Sequence, residues 1–288
     1  MGLPLTTTSS SAVDTLYLAE TVIRPRKGWI AINWGELFDF RELLFFLAWR
    51  DVKIRYKQTV LGVAWAVLQP LTQMLIFTLI FGRFAKIPSE GFPYPAFVFA
   101  GLIPMTLFSS GVTAAAQSLV QQQNMLTKVY FPRLFVPMAT IGPFLIDMLI
   151  SFGLYALVLA YYHIVPSWQV VFLPFLILLT IMATIGLGLA LAALVVVYRD
   201  LKHTVPFLMQ ILLFASPVIY PARMMPPRYQ WIFALNPMCG IIGGFRSAIL
   251  GTPWELSLLA LSTATTFALL AFGLFYFRKT ERLFADLA

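Results

Sequence analysis

Few side chains in this sequence have the type and spacing that acid–base, nucleophilic or metal chemistry requires. Asp147 is the only acid inside a predicted apolar span, and His163 and His203 lie outside the spans. None of these groups stands at metal-ligand spacing, and the single cysteine, Cys239, fits neither a metal motif nor an internal disulfide. The chain has no Gly-x-x-x-x-Gly-Lys loop for binding ATP. We therefore expect no catalytic site, metal or cofactor on this chain.

Asp147 is the one acid that membrane chemistry singles out. A carboxylate is costly at bilayer depth, so an acid within a span is a functional candidate by default. A structural acid that is hydrogen-bonded and faces the helix bundle is an equally weighted alternative. A proton relay is a further alternative, but ion-coupled carriers usually need a partner charge, and the sequence reveals none.

The composition places these few groups in a membrane protein. Of 288 residues, 60% are hydrophobic and 11% are charged, and the mean hydropathy is +0.83. Soluble domains carry about 25% charged residues. The net charge of +8 does not require nucleic acid, because lysine and arginine collect in the cytoplasmic loops of membrane proteins. We expect an all-α integral membrane protein that does not bind nucleic acid, since no basic face with interleaved aromatics is present.

Six apolar windows of roughly 20 residues predict transmembrane helices. They cover residues 60–81, 94–117, 135–161, 169–197, 205–220 and 256–277. Fifteen of the 20 lysines and arginines fall on one side of this topology. The positive-inside rule makes that side cytoplasmic, together with both termini. Residues 1–33 form a polar cytoplasmic tail without an assigned function, and residues 34–288 form one membrane domain.

The segment 34–57 has the pattern of an amphipathic helix that lies in the membrane interface. At about 100° per residue, most of its charges fall on one half of the helical wheel, whereas Trp34, Phe45 and Trp49 fall on the other. Tryptophan anchors and separated faces are typical of such interfacial helices. A first transmembrane span is the alternative, but the apolar run 43–49 is too short for one.

Two loops lie on the cytoplasmic side, and the first has a pattern that favours docking. Residues 119–131 predict a short helix with an apolar stripe of Met125, Val129 and Tyr130. Such a helix fits a groove in a partner protein, and a solvated loop helix is the alternative. The second loop, 197–206, is short and charged, and its Arg199 and Asp200 fit an ordinary helix end with a local ion pair.

On the external side, residues 229–250 are more apolar than a plain loop. Asn236 and Pro237 divide the segment, and each half is too short to span the membrane. This favours a re-entrant or interfacial hairpin. The hairpin lies between the last two predicted spans, where it would form a lid over an exit.

Four stretches of the chain together resemble one protein family. They are RDVKIRYKQTVLGVAWAVLQPL (50–71), KVYFPRLFVP (128–137), VYRDLKHTVPFLMQILLFASPVIYP (197–221) and LNPMCGIIGGFRSAILG (235–251). In this order and spacing, they resemble the membrane subunits of ATP-binding-cassette exporters for polysaccharides, which include O-antigen, capsule and teichoic-acid permeases. The resemblance covers about residues 35–280. It implies six spans per subunit, a homodimer that forms one conduit, and two copies of a cytoplasmic ATPase that binds ATP and Mg²⁺.

The resemblance also implies roles for the segments at the membrane surfaces. Segment 34–57 is expected to be the interface helix, 119–131 the coupling helix on the ATPase, and 229–250 the external gate helices. The residues expected to couple to the ATPase are Asn124, Met125, Lys128, Val129, Tyr130, Phe131, Arg199 and Asp200. Those expected at the gate are Trp231, Asn236, Pro237 and Arg246.

The resemblance further implies a long glycan as substrate, carried on an anionic polyprenyl pyrophosphate. The cations expected to attract its head group are Arg50, Lys53, Arg55 and Lys57. Pairing of these cations with anionic lipid, worth about 1 kcal/mol each, is an equal alternative. Sugar rings slide over aromatic faces, although an aromatic in a span more often faces lipid or the core. The expected conduit lining is Trp65, Gln69, Gln73, Phe77, Phe108, Phe207, Gln210 and Phe214.

We therefore expect a multi-pass protein of the bacterial inner membrane that takes part in ATP-driven export of lipid-linked polysaccharide. The cargo is of the O-antigen or lipopolysaccharide, capsule or teichoic-acid type. The expected partners are a second copy of the chain, two ATPase subunits, the lipid-linked polysaccharide and membrane lipids. A drug or lipid exporter of the same permease superfamily and a membrane-embedded glycan-modifying enzyme are the alternatives.

Overall fold

The structure is a computed structural model, and it describes residues 38, 40–57, 62–126, 131–224, 233 and 235–281. All regular elements in these residues are helical, which confirms the all-α class. The predicted tail, 1–33, and the first residues of the predicted interface helix, 34–37, lie outside the described residues.

Ten α-helices follow one another along the described residues. They are α1 (Arg41–Lys57), α2 (Gly62–Phe77), α3 (Tyr94–Gln121), α4 (Gln123–Leu126), α5 (Phe135–Ala139), α6 (Gly142–Tyr161), α7 (Leu173–Val197), α8 (Leu201–Ala215), α9 (Pro237–Leu250) and α10 (Leu256–Glu281). A π-helical stretch, Thr78–Phe84, continues α2, and short 3₁₀ helices cover Trp168–Phe172 and Ala222–Met224.

Five helical segments of the described chain are long and apolar enough to cross a membrane. They are Ala64–Phe84, Tyr94–Gln121, Phe135–Tyr161, Trp168–Val197 and Leu256–Glu281. These segments agree with five of the six predicted windows, and the chain is a multi-pass membrane protein.

The predicted span at 205–220 differs from the helix that forms there. Helix α8 has 15 residues, so it is about 22 Å long, against about 30 Å of hydrocarbon in a bilayer. It ends at Ala215 because Pro217 disfavours the helical conformation for Ser216, whose backbone is extended with φ −90° and ψ 152°. The apolar window therefore joins a short helix to a non-helical turn, and a full sixth span stays a prediction.

Helix α3 forms the centre of the core. Most of its residues are buried, and it packs against α6, α7, α8 and α9. Pro95 lies in its first turn, where a proline removes no helical hydrogen bond. Small residues let α3 approach α7 closely: a Cβ added at Gly188 would lie 2.8 Å from the Cβ of Ala115.

The closest backbone approach in the core joins α7 to α10. A Cβ added at Gly273 would lie 2.0 Å from the carbonyl oxygen of Gly186, which no side chain tolerates. Glycine at both positions brings the two backbones into contact, and close contacts of this kind stabilise helix pairs in membranes.

Hydrogen bonds show which chain segments share an end of the helix bundle. Gln117, near the end of α3, donates to the backbone oxygen of Lys202, 3.0 Å away. Arg133 donates to the backbone oxygen of Glu281 at 3.2 Å. We call this side the α1 end, because α1 packs here, and the opposite side the loop end. The loop end carries residues 85–93, 162–167, 216–224 and 251–255.

Helix α1 has apolar side chains on both of its sides. Leu47 is 3% exposed and packs with Leu119 and other residues of the α1 end, whereas Phe45 is 71% exposed and Trp49 is 48% exposed. Apolar residues on the charged half of the wheel, such as Leu47, therefore pack on the bundle, and the interfacial position of α1 stays a prediction. One side of α1 packs on the helix bundle through Leu47, and the other side exposes the aromatic side chains of Phe45 and Trp49.

The predicted coupling helix, 119–131, is not one continuous helix in the described residues. Helix α3 extends to Gln121, and only the four residues of α4 follow it. Leu119 is 2% exposed and belongs to the buried end of α3. Residues 127–130 lie outside the described residues.

The predicted break at Asn236 and Pro237 coincides with the start of α9. The Asn236 side chain accepts a hydrogen bond from the amide of Met238, and Pro237 occupies the first turn. Gly251 ends the helix with φ 76°, a left-handed conformation that favours glycine. With 14 residues, α9 is too short to span a membrane. Most of residues 229–234 lie outside the described residues, so the two-helix gate stays a prediction.

Candidate functional site

A charged cluster fastens the last turn of α1 to the first turns of α6. Arg55 Nη2 lies 2.7 Å from Asp147 Oδ2, and the hydroxyl of Tyr56 donates to Asp147 Oδ1. The Arg55 guanidinium also lies 4.7 Å from the centre of the Phe144 ring. Asp147 therefore has the partner charge that the sequence did not reveal.

Tyr56 acts as a hydrogen-bond donor in this cluster. Burial, followed by the hydrogen bond to Asp147, raises the pKa of its phenol above the usual range. The phenol therefore stays protonated and holds the carboxylate in place. The Asp147 side chain is 15% exposed and that of Arg55 is 37% exposed, so the ion pair lies at the edge of the bundle.

The four predicted head-group cations do not share one surface of α1. Arg50, Lys53 and Lys57 follow one face of the helix at i, i+3 and i+7, whereas Arg55 points about 140° away from Arg50. Arg50 pairs with Asp51 at 2.8 Å and donates to the Met125 sulfur at 3.6 Å. Arg50 therefore lies beside α4, and of these four cations Arg55 alone faces α6.

Lys53 and Lys57 are the more exposed members of this cation set. The Lys53 ammonium lies 5.8 Å from the centre of the Trp49 ring, and both belong to the outward side of α1. Lys57 is exposed in the last turn of the helix. These two cations are therefore accessible to anionic groups that approach α1 from outside the subunit.

Several predicted conduit residues share the outer surfaces of α2 and α8. These helices touch where the Phe77 and Phe214 rings lie 6.3 Å apart. Gln69 and Gln210 are exposed, together with the rings of Trp65, Phe207 and Phe214, and Gln73 is half-buried. An amide without a partner is costly against lipid, so this surface suits water or a second protein surface.

Two predicted conduit residues are buried within the subunit. Phe108 is 1% exposed and Phe77 is 7% exposed, and both belong to the main core cluster. Phe108 therefore cannot line a passage on the outside of this chain, and the sequence-based placement of its ring was wrong. From its buried position, the Phe77 ring contacts the exposed ring of Phe214.

The predicted coupling residues divide into exposed and buried groups. Arg199 and Asp200 are exposed in the turn between α7 and α8, and Met125 is half-buried beside Arg50. Phe131 is 7% exposed and packs with Leu47 and the other residues of its cluster, so its assignment to a docking surface was wrong. The side chain of Asn124 and all of Lys128, Val129 and Tyr130 lie outside the described residues.

The predicted gate arginine is a buried structural clamp. Arg246 is 3% exposed, and its guanidinium lies 3.6 Å from the centre of the Phe97 ring. It donates to the carbonyl oxygens of Val218 at 2.6 Å, Phe97 at 3.2 Å and Tyr220 at 3.4 Å. Within the described residues, Arg246 makes no ion pair with a carboxylate.

Further side chains hold the same non-helical turn, residues 216–220. Asn236 Nδ2 donates to Ser216 Oγ at 2.8 Å, and the Tyr94 hydroxyl donates to the carbonyl oxygen of Ile219 at 2.8 Å. Trp231 lies outside the described residues. Sequence reasoning missed Tyr94 and Ser216, because their partners are backbone groups or distant residues that no local pattern reveals.

The fold and these sites define a multi-pass helical membrane protein in which a surface helix is bonded to the bundle and Arg246 holds a non-helical break in the fifth apolar window. The sequence profile of the ABC-2 type transporter family matches residues 42–250. The chain belongs to the ABC-2 type transporter family.

Individual relatives match along most of their own length. The chain is 33% identical over 214 residues to the O-antigen export system permease protein RfbA of Myxococcus xanthus, covering 74% of this chain and 82% of that protein. It is 26% identical over 256 residues to the protein of the same name from Klebsiella pneumoniae, covering 88% and 97%. It is 26% identical over 246 residues to the polysialic acid transport protein KpsM of Escherichia coli, covering 81% and 91%.

Proposed function

We propose that this protein is the membrane subunit of an ATP-driven exporter that moves lipid-linked polysaccharide across the bacterial inner membrane. The observation that carries the proposal is the similarity to polysaccharide-export permeases along most of their length. The cargo is of the O-antigen or lipopolysaccharide, capsule or teichoic-acid type.

Two copies of the chain form the conduit, with the outer surfaces of α2 and α8 turned inwards. The exposed amides of Gln69 and Gln210 support this arrangement, because a second copy and water would satisfy them better than lipid. The neighbouring rings of Trp65, Phe207 and Phe214 would give the sugar a smooth apolar wall.

The α1 end faces the cytoplasm, and both termini lie on that side. The cations of α1, together with Arg133, Arg199 and Arg278, lie at this end and support the orientation through the positive-inside rule. Polyprenyl pyrophosphate would then reach the cations of α1 from the cytoplasmic leaflet.

Two copies of a separate ATPase bind the α1 end and supply the energy. The exposed turn with Arg199 and Asp200 and the segment around α4 are the docking surfaces. Gln117, near the end of α3, bonds to Lys202 in the first turn of α8, directly after this turn. This bond supports the transmission of movement from the docking turn to the central helix. ATP and Mg²⁺ bind to the ATPase subunit.

The experiment that tests this function measures ATP hydrolysis by the co-purified complex in lipid nanodiscs. Added polyprenyl-pyrophosphate-linked glycan should stimulate hydrolysis, and an ATPase subunit without its phosphate-loop lysine should remove all activity. Stimulation by free lipid or by hydrophobic drugs, with no response to the glycan, would identify the alternative exporter. Chemical change of the glycan by this chain without the ATPase would identify an enzyme.

A further inference from the structure

The carboxylate of Asp147 occupies the position that an anionic ligand of Arg55 would take. Its Oδ2 lies 2.7 Å from Arg55 Nη2, and Oδ1 accepts the hydrogen bond from Tyr56. Carboxylate and phosphate oxygens bind a guanidinium in the same way, through parallel charge-assisted hydrogen bonds. A phosphate group can therefore bind Arg55 through the same guanidinium donors that Asp147 uses.

The position of the pair favours such an exchange. The Arg55 side chain is 37% exposed, so an incoming group can reach it, whereas Asp147 is 15% exposed and is held from the other side by Tyr56. Ion pairs that are partly exposed contribute little net stability. A pyrophosphate carries more charge than one carboxylate, and it would compete well for the guanidinium.

We propose that Asp147 is a positioning residue whose carboxylate holds Arg55 ready and is displaced from it by the phosphate of the loaded substrate. The identity of that phosphate as a polyprenyl pyrophosphate rests on the proposed function. Displacement would break the ion pair, one of the two contacts that tie the last turn of α1 to Asp147, and would leave the Tyr56 hydrogen bond. Loading would thereby weaken the attachment of the last turn of α1 to α6.

The test is equilibrium binding of radiolabelled geranylgeranyl pyrophosphate to the co-purified complex in phosphatidylcholine nanodiscs. Asp147→Asn keeps an acceptor for Tyr56 but removes the competing charge, so it should tighten binding by about fivefold. Arg55→Gln should weaken binding. The double variant should show no gain over Arg55→Gln alone, because the carboxylate acts through the guanidinium.

Two controls separate this competition from general electrostatics. Glu281→Gln removes one carboxylate of the Arg278 pair at the same end of the molecule, where the two side chains lie 2.9 Å apart. It should leave the dissociation constant unchanged. Asp147→Glu keeps the charge and should not tighten binding. If Asp147→Asn fails to assemble, Asp147→Ser makes the same test with a smaller polar acceptor.

The proposal is overturned if assembled Asp147→Asn binds the probe no more tightly than wild type, or if Glu281→Gln gives the same gain. A gain for geranylgeraniol, which has no phosphate, would also overturn it. When phosphatidylglycerol is added, loss of the Asp147→Asn gain assigns the displacing phosphate to the bilayer, and persistence assigns it to the prenyl carrier.

Failure of this proposal can be told apart from failure of the proposed function. If glycan stimulates the wild-type complex but Asp147→Asn leaves the affinity for the probe unchanged, the export function stands and the exchange at Arg55 is rejected. If glycan does not stimulate the wild-type complex but Asp147→Asn binds the probe more tightly, the exchange at Arg55 stands and the polysaccharide cargo is rejected.

Discussion

Arg246 Nη2 donates to the carbonyl oxygen of Val218 over 2.6 Å, and this bond joins α9 to the break that follows α8. Buried backbone outside a helix must find hydrogen-bond partners within the protein, and residues such as Val218 and Ile219 are buried here. The guanidinium supplies them to Val218 and Tyr220 while it also reaches α3 at Phe97. Its buried charge thus fixes the geometry of a turn that sequence reasoning treated as part of a span.

Replacement of Arg246 by methionine should destabilise the protein strongly. The substitution leaves three carbonyls without this donor. The expected loss is about 3 kcal/mol, because the removal of a buried charge offsets part of the cost. The thermal unfolding midpoint of the purified complex in detergent should fall by several degrees, with a smaller fall for Arg246→Lys.

The matched control for that experiment is Arg223→Met. Arg223 is half-exposed and pairs with Glu255 at 3.0 Å, so its loss should cost no more than about 1 kcal/mol. Equal midpoints for the two methionine variants would contradict the clamp.

Replacement of Gly273 by alanine should separate α7 from α10. The added Cβ would lie 2.0 Å from the Gly186 oxygen, and that oxygen belongs to a rigid helix backbone. We expect a loss of about 1–3 kcal/mol, measured as a lower midpoint and a smaller yield of assembled complex. Gly153→Ala is the control, because a Cβ there meets nothing within 4 Å; a fall as large as that of Gly273→Ala would argue against the backbone contact.

Replacement of Trp65 by alanine should slow glycan export without loss of assembly. Trp65 is 60% exposed on the outer surface of α2, where an aromatic contact worth about 1 kcal/mol corresponds to about fivefold in rate. Transport of labelled glycan into proteoliposome interiors measures the change. The control, Trp168→Ala, removes an even more exposed ring, 77%, near the loop end. Normal transport by the Trp65 variant would show that the Trp65 ring does not contact the glycan during export.

Replacement of Met125, Val129 and Tyr130 by aspartate should release the ATPase from this chain. Charges placed on an apolar docking stripe cost more than about 2 kcal/mol, so co-purification should fall at least tenfold. The control places the same three charges at the loop end, on exposed side chains of Tyr161, Val165 and Trp168. Undiminished recovery of the ATPase with the first variant would exclude docking through this stripe.

The sequence was a good guide wherever the deciding interaction is local. Hydropathy summed along the chain placed five spans, because a bilayer selects segments by their own length and apolarity. The break at Asn236 and Pro237 was also readable, since the cap bond to Met238 joins residues two apart. In the fifth window, Pro217 ends α8 within an otherwise apolar run, so a full span there stays a prediction.

The sequence by itself determined the membrane class, the family motifs and the residues able to carry charge at the surface. Only the tertiary structure decided which faces those residues present and what they touch. Tyr56 and Asp147 are 91 residues apart in the chain and meet because α1 packs on α6. Phe108 and Phe131 are likewise buried by residues that lie far from them in the sequence. Hydropathy is a property of each segment alone, whereas a contact depends on how two segments are arranged in space.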